Sequence, residues 1–327
     1  SNTRLFRPFQ LGFPHQQTDS QYLIKLYPNH HIGLAAVKDL LAGVVKNKNW
    51  PAAIRLLTQY KPAFPDFADF FDERIALFQR QDEAPAEIER LGSGVNTRSQ
   101  EYKPVPSADG RKLYFTGLDR PGGVGGEDLF VSEWEGTQWG QAKGVSSNIN
   151  TANGNESMTS ISADGLTISY FGQGDSPLSL GDNYFSIKEK DGWTQPMPYP
   201  PPINGPYFES DALLSSDGRA LFFVSTRPGG IGKTYLKGEF SPTEGFGNTD
   251  IYVCLKDGNT WSAPINLGTM INTPFAERTP FLHPDGKTLY FSSGGHNAIG
   301  GVDVFKTERL SNTDWTQWSK PVNLGKQ

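Results

Sequence analysis

The sequence has one cysteine in 327 residues, Cys254, so no internal disulfide can form. Cys254 lies in Ile251-Tyr252-Val253-Cys254-Leu255, which reads as a strand. A buried, structural thiol is the expectation, since nothing nearby would lower its pKa. Long apolar runs are missing too, and no stretch approaches the roughly 18 residues that a membrane-crossing helix needs. There is no basic excess: 30 Lys and Arg against 35 Asp and Glu give a net charge of −5. Without a basic stripe, a nucleic-acid partner is disfavoured. Histidine is scarce, with His15, His30, His31, His283 and His296 spread along the chain. His30 and His31 follow Pro28-Asn29 in an expected loop, and as sequence neighbours they would point apart on a helix or strand. No catalytic triad, phosphate loop or calcium loop stands out, so no catalytic residue, metal or cofactor is assigned. Ser1-Asn2, with no methionine before them, read as a protease scar and are set aside.

Turn chemistry, by contrast, is abundant, with 36 Gly and 24 Pro, and it is periodic. Asp-Gly recurs at Asp109-Gly110, Asp164-Gly165, Asp217-Gly218 and Asp285-Gly286, at spacings of 55, 53 and 68. The long spacing contains an insertion at about residues 233–248. After each Asp-Gly comes an aromatic strand: Leu113-Tyr114-Phe115, Ile168-Ser169-Tyr170-Phe171, Leu221-Phe222-Phe223 and Leu289-Tyr290-Phe291. A Gly-rich loop follows, and then an aspartate opens another strand at Asp128, Asp182, Asp250 and Asp303. Last comes a tryptophan, at Trp139, Trp193, Trp261 and Trp318. Val95-Asn96, Ile149-Asn150, Ile203-Asn204 and Ile271-Asn272 start the successive units.

Asp-Gly between apolar runs is a strong hairpin signal, because both residues tolerate φ > 0. Each unit therefore holds about four antiparallel strands. One such sheet cannot bury both faces, whereas like units packed around an axis can. The fold expected is mainly β: a β-propeller of four-stranded antiparallel blades, with a small N-terminal α-helical segment. The aromatic strands and the tryptophans would fill the space between blades.

The pattern Ser/His-x-Asp-Gly-x-x-Leu-Tyr-Phe, then Arg-Pro-Gly-Gly-x-Gly, then Asp-Ile-Tyr, then Trp-x-x-Pro-x-Asn-Leu-Gly resembles the TolB-like Pro-Asp repeat, which is WD-repeat-like. Residues 279–305 and 210–252 match best, and His283-Pro284-Asp285-Gly286 is the literal Pro-Asp version. The second unit departs most, with Gln173 to Gly181 in place of the glycine loop. The resemblance covers residues 93–325. It implies blades at about 93–146, 147–201, 202–268 and 269–325, within a β region of 93–327. TolB-like propellers usually have six blades, and four are legible here. Either the ring closes with four, or a divergent segment such as 5–13 adds strands, or Asn323-Leu324-Gly325 opens a further unit of a longer ring.

Residues 1–32 read as irregular and 33–92 as helical. Leu34, Val37, Leu40, Leu41, Val44 and Val45 share one helix face. Trp50, Ala53, Ile54 and Leu57 begin a second helix. Asp66 can cap a third that carries Phe67, Phe70, Phe71, Ile75 and Phe78, and residues 86–91 could add a short fourth. This segment is either tetratricopeptide-like or a plain helical cap.

Candidate sites are few. The repeated Asp128, Asp182, Asp250 and Asp303, with Glu101, Glu156, Glu209 and Glu277, could ring an axial channel and attract cations. Their presence in every unit favours structural turn-capping instead. Candidate partner contacts are Tyr235, Leu236, Phe240 and Phe246 of the insertion, together with His296 in the last glycine loop. Deleting residues 234–246 is expected to keep the fold and weaken partner binding. The resemblance implies a non-catalytic protein-interaction scaffold of the bacterial envelope, periplasmic or outer-membrane associated. It would work alongside an OmpA-like peptidoglycan anchor or a type IX secretion assembly. The competing class is a carbohydrate-binding or carbohydrate-active propeller. That reading needs convergent, non-repeated carboxylates or histidines in the channel.

Overall fold

The structure, a computed structural model, describes residues 16–80, 89–173, 181–231, 249–299 and 301–325. It divides into two compact units, one holding Ser1–Ala86 and the other Glu87–Ala298 and Val302–Leu324.

The first unit is helical: α1 (Gln16–Leu26), α2 (His31–Lys46), α3 (Trp50–Tyr60) and α4 (Ala68–Gln79). Part of the stretch expected to be irregular up to residue 32 is therefore a helix. Its inward face shows Ser20 and Ile24, a pair too short to register as a period. The second helix begins at His31, not Gly33. His30 is not a loop residue but its N-cap, and the ring Nδ1 accepts from Ile32 N at 3.2 Å. The two imidazoles do not point apart; their centroids lie 3.9 Å from each other. Asp66 does not cap α4, whose N-cap is Phe67. Its carboxylate instead accepts from Asn29 Nδ2 at 2.8 Å, while Asp66 N donates back to Asn29 Oδ1 at 2.9 Å. Val37, Ala53, Leu57, Phe64 and Phe71 are fully buried and form the core. Gly33 is required where it stands, since a Cβ there would meet the Tyr27 carbonyl oxygen at 2.2 Å. Glu89 to Leu91 carry no helix, and residues 5–13 lie outside those described.

The second unit is a four-bladed β-propeller of consecutive antiparallel sheets. The first sheet holds β1 (Gln100–Pro106), β2 (Lys112–Leu118), β3 (Glu127–Glu133) and β4 (Lys143–Gly144). The second holds β5 (Asn155–Ile161), β6 (Thr167–Gln173), β7 (Asp182–Glu189), β8 (Gly192–Trp193) and β9 (Met197–Pro198). The third holds β10 (Glu209–Leu214), β11 (Ala220–Ser225), β12 (Asp250–Asp257), β13 (Thr260–Trp261) and β14 (Ile265–Asn266). The fourth holds β15 (Glu277–Leu282), β16 (Thr288–Ser293), β17 (Asp303–Glu308) and β18 (Val322–Asn323).

Period-two alternation on β11 explains why its sequence is apolar up to the closing Ser225. Leu221 and Phe223 pack with Tyr199 of the preceding unit and Ile203 of their own opening loop, and Phe222 and Val224 pack with Ile271, Leu289 and Phe291 of the next unit. A strand buried on both faces has no polar side to show. The fourth strand of each blade is only two residues long. The repeated tryptophan makes a further pairing with the end of the third strand, as in Lys188↔Trp193, Lys256↔Trp261, Trp134↔Trp139 and Arg309↔Trp318. Trp193 and Trp318 are buried, while Trp139 and Trp261 are half-buried against their cores.

The Asp-Gly turns differ from the tight two-residue form. Only the glycine of each pair has positive φ, at 67°, 70°, 70° and 68°. The connection runs from Ser107 to Lys112, closed by Ser107 N to Lys112 O at 2.8 Å and by Gly110 N to Ser107 O at 2.9 Å. Asp109 Oδ1 then accepts from Ser107 Oγ and Arg111 N, as Asp164 and Asp217 do in their units. In the fourth unit His283 takes the serine's place, and its Nδ1 accepts from Asp285 N at 3.2 Å.

Candidate functional site

The repeated carboxylates are engaged in local structure. Glu156 accepts from Thr151 N and Oγ1, Glu209 from Gly205 N and Ser225 Oγ, and Glu277 from Thr273 N and Oγ1 and Ser293 Oγ. Each thereby ties the loop that starts its unit to its first strand. Glu101 and Glu209 also pair with Arg120 and Arg227. Those guanidiniums bond the loop carbonyls of Val95 and Ile203 and lie over Phe115 and Phe130, and over Phe223 and Tyr252. The aspartates fasten loops: Asp128 Oδ2 accepts from Val124 N and Gly125 N, Asp250 Oδ2 from Ile231 N and Asn266 Nδ2, and Asp303 Oδ2 from Asn323 Nδ2.

His296 occupies the arginine's place in the fourth unit. Its Nε2 bonds Ile271 O at 2.9 Å, and its ring lies against Phe291 and Phe305. Glu277, the counterpart of Glu101 and Glu209, is fully buried, and burial pushes its carboxyl up to about 8. Cys254 is also fully buried, and desolvation pushes its thiol up to about 12. Tyr235, Leu236, Phe240 and Phe246 lie outside the described residues.

One concave feature of the propeller is an axial cavity of about 510 Å³, walled by the innermost strand of all four sheets. Its mouth lies at the hairpin turns, where Ala108, Ala163, Ser216 and Pro284 are exposed. Val105, Ile161, Leu213, Pro280 and Phe281 supply apolar walls. At the inner end each first strand is bulged. The register slips between Tyr102 and Val105, Met158 and Ser160, Ser210 and Leu213, and Arg278 and Phe281. Three bulge residues carry positive φ without being glycine: Lys103 at 51°, Asp211 at 56° and Thr279 at 48°. For a β-branched threonine this is an outlier, and such strain clusters at functional sites.

The bulges bring together an ion triad that the repeat pattern hid. Asp211 Oδ2 accepts from Arg278 Nε at 3.0 Å and from Thr279 N at 3.1 Å, and Lys103 Nζ stands 3.4 Å from Oδ1. Burial would push the Asp211 carboxyl up. The Arg278 and Lys103 charges and these hydrogen bonds outweigh it and hold the carboxyl well below the usual carboxylate range. Asp211 in turn raises the pKa of Arg278. The triad spans three sheets, with partners 108 and 67 residues apart. The residue two places after the repeated glutamate differs in each unit, being Lys103, Met158, Asp211 or Thr279, so no repeat signal marks the site.

No family model matches the sequence, and no curated protein matches it. Solved structures do. TolB from Acinetobacter baumannii aligns with a TM-score of 0.43 at 14% identity, over 66% of this chain and 42% of that one. The Pseudomonas aeruginosa periplasmic gluconolactonase PpgL gives 0.37 at 13%, over 68% and 71%. Prolyl oligopeptidase B from Galerina marginata gives 0.40 at 11%, over 66% and 25%.

Proposed function

We propose that this chain is a non-catalytic protein-interaction scaffold of the bacterial cell envelope that receives its partner at the axial mouth of the propeller. The observation that carries this reading is the chemistry of the axial cavity. Its carboxylate, Asp211, is held ionised between two cations and bonded on both oxygens, so it is poorly placed to exchange a proton with a substrate. The repeated carboxylates, the alternative catalytic pairs, are spent on turns and loops and do not line the cavity. Apolar walls around a few fixed charges are the make-up of a recognition pocket. The envelope location, and association with an OmpA-like anchor or a type IX secretion assembly, draw support from the repeat resemblance. No described helix is long and apolar enough to cross a membrane.

The test is capture from envelope extract by the intact chain, by variants with the mouth obstructed (Ala108→Trp and Ser216→Trp), and by a chain lacking residues 234–246. A discrete protein lost from both mouth variants supports the proposal. Loss on the deletion alone moves recognition to the insertion. A glycan retained in place of any protein favours the carbohydrate reading.

A further inference from the structure

The axial cavity carries a charge imbalance that points to its ligand. Arg278 and Asp211 form a close pair, and Arg278 does not line the cavity, so it neutralises the carboxylate from behind. Among the described residues, the charged side chains that do line the cavity are Lys103 and Asp211. Lys103 is therefore the excess charge, and the triad sums to +1. Its ammonium has three donors, and the single acceptor the structure gives it is Asp211 Oδ1, at a long 3.4 Å. The Lys103 side chain keeps 27% of its exposure, whereas Asp211 keeps 3%. On the neighbouring sheet, the bulge residue Thr159 also lines the cavity. Its hydroxyl is buried and has no hydrogen-bond partner among the described residues. That oxygen is sealed from the open space of the cavity, so the ammonium is the group there with donors to spare. Between these groups and the mouth the walls are Val105, Ile161, Leu213, Pro280 and Phe281.

We propose that the cavity binds a monocarboxylate carried on an apolar body, the carboxylate on Lys103 Nζ and the body along those walls. One excess positive charge matches a monoanion, and an aliphatic or aromatic chain replaces water on surfaces that gain from losing it. A cation would meet the net positive charge of the triad at the inner end. Two sources share this chemistry, a free aliphatic acid and the C-terminal carboxylate of an apolar peptide. The proposal rests on the reading of the axial mouth as the recognition site and names the chemical group read there.

Calorimetric titration decides it, with octanoate against octanamide and N-acetyl-Leu-Phe against its C-terminal amide. The acid of one or both pairs should bind about tenfold or more tighter than its amide, as loss of a charge-assisted hydrogen bond implies. Lys103→Met keeps the stem and removes the charge, and should erase the preference for the acid over its amide. Lys103→Gln, which also removes the charge, serves as the second variant if Lys103→Met fails to fold. Tighter binding of octanoate than of the dipeptide marks a free acid, and the reverse order marks a peptide terminus. Equal affinity for acid and amide in both pairs, an undiminished preference in folded Lys103→Met, or no binding of any probe at millimolar concentration would overturn the proposal. If a captured protein is still lost from the mouth variants after such a failure, the scaffold reading stands and this ligand class is removed.

Discussion

Asp211 shows how one residue can be essential to a site and invisible in a repeat. It is an aspartate at a position that elsewhere holds lysine, methionine or threonine, and its partners come from two other sheets. Replacing it with asparagine strands Arg278 and Lys103. Both keep partial water contact, so the expected loss is near the low end for a broken buried pair, about 3 kcal/mol, read as a lower urea midpoint. Glu277 behaves in the opposite sense. Burial lifts it from its ordinary 4.5 to about 8. Between those values the folded chain keeps a proton that the unfolded chain has released, so stability falls as pH rises through that window. Glu277→Gln should flatten this slope and raise the melting temperature at pH 8 by on the order of a few degrees, with little change at pH 4. A melting profile against pH that keeps its slope in the variant would assign the proton elsewhere.

At the scale of elements, glycines of the fourth unit should respond very differently to substitution. Gly286 has φ 68° and open space around its missing Cβ, so Gly286→Ala carries only the left-handed backbone cost, about 1 kcal/mol. At Gly295 a Cβ would sit 2.2 Å from Thr273 Oγ1, which bonds Glu277. Gly295→Ala must displace that threonine, and the larger loss of denaturant stability should fall here. Strand order, strand identity and the turns were legible because each is written four times. The details were not. Turn type depended on a longer hydrogen-bonded connection that an Asp-Gly pair does not specify. The helix at Gln16–Leu26 shows too short an apolar stripe, and Asp66 found a partner in Asn29, across a gap of 37 residues, before it could cap its own helix. The ion triad was the least legible feature, because periodicity reports what units share and the triad is built from what they do not.

For the molecule as a whole, protection should be uneven around the axis. Every residue of β11 is buried, and so are five of the six in β10. In the fourth sheet Phe281, Val304 and Val322 remain 48%, 48% and 56% exposed. Amide hydrogen exchange should therefore be slowest in β10 and β11 and faster in β17, since protection follows burial and local contact density. Uniform protection across the four sheets would indicate that a shared transition, not sheet-by-sheet opening, governs exchange.

The two-residue outer strands have one more consequence. A strand edge invites other chains in proportion to the row of free peptide groups it offers, and here each rim offers hardly more than one pair of such groups. Neither a fibril nor a visiting peptide can extend these sheets outward in register. Whatever joins this molecule must do so by the shape and charge of its side chains, at the axis or on its loops.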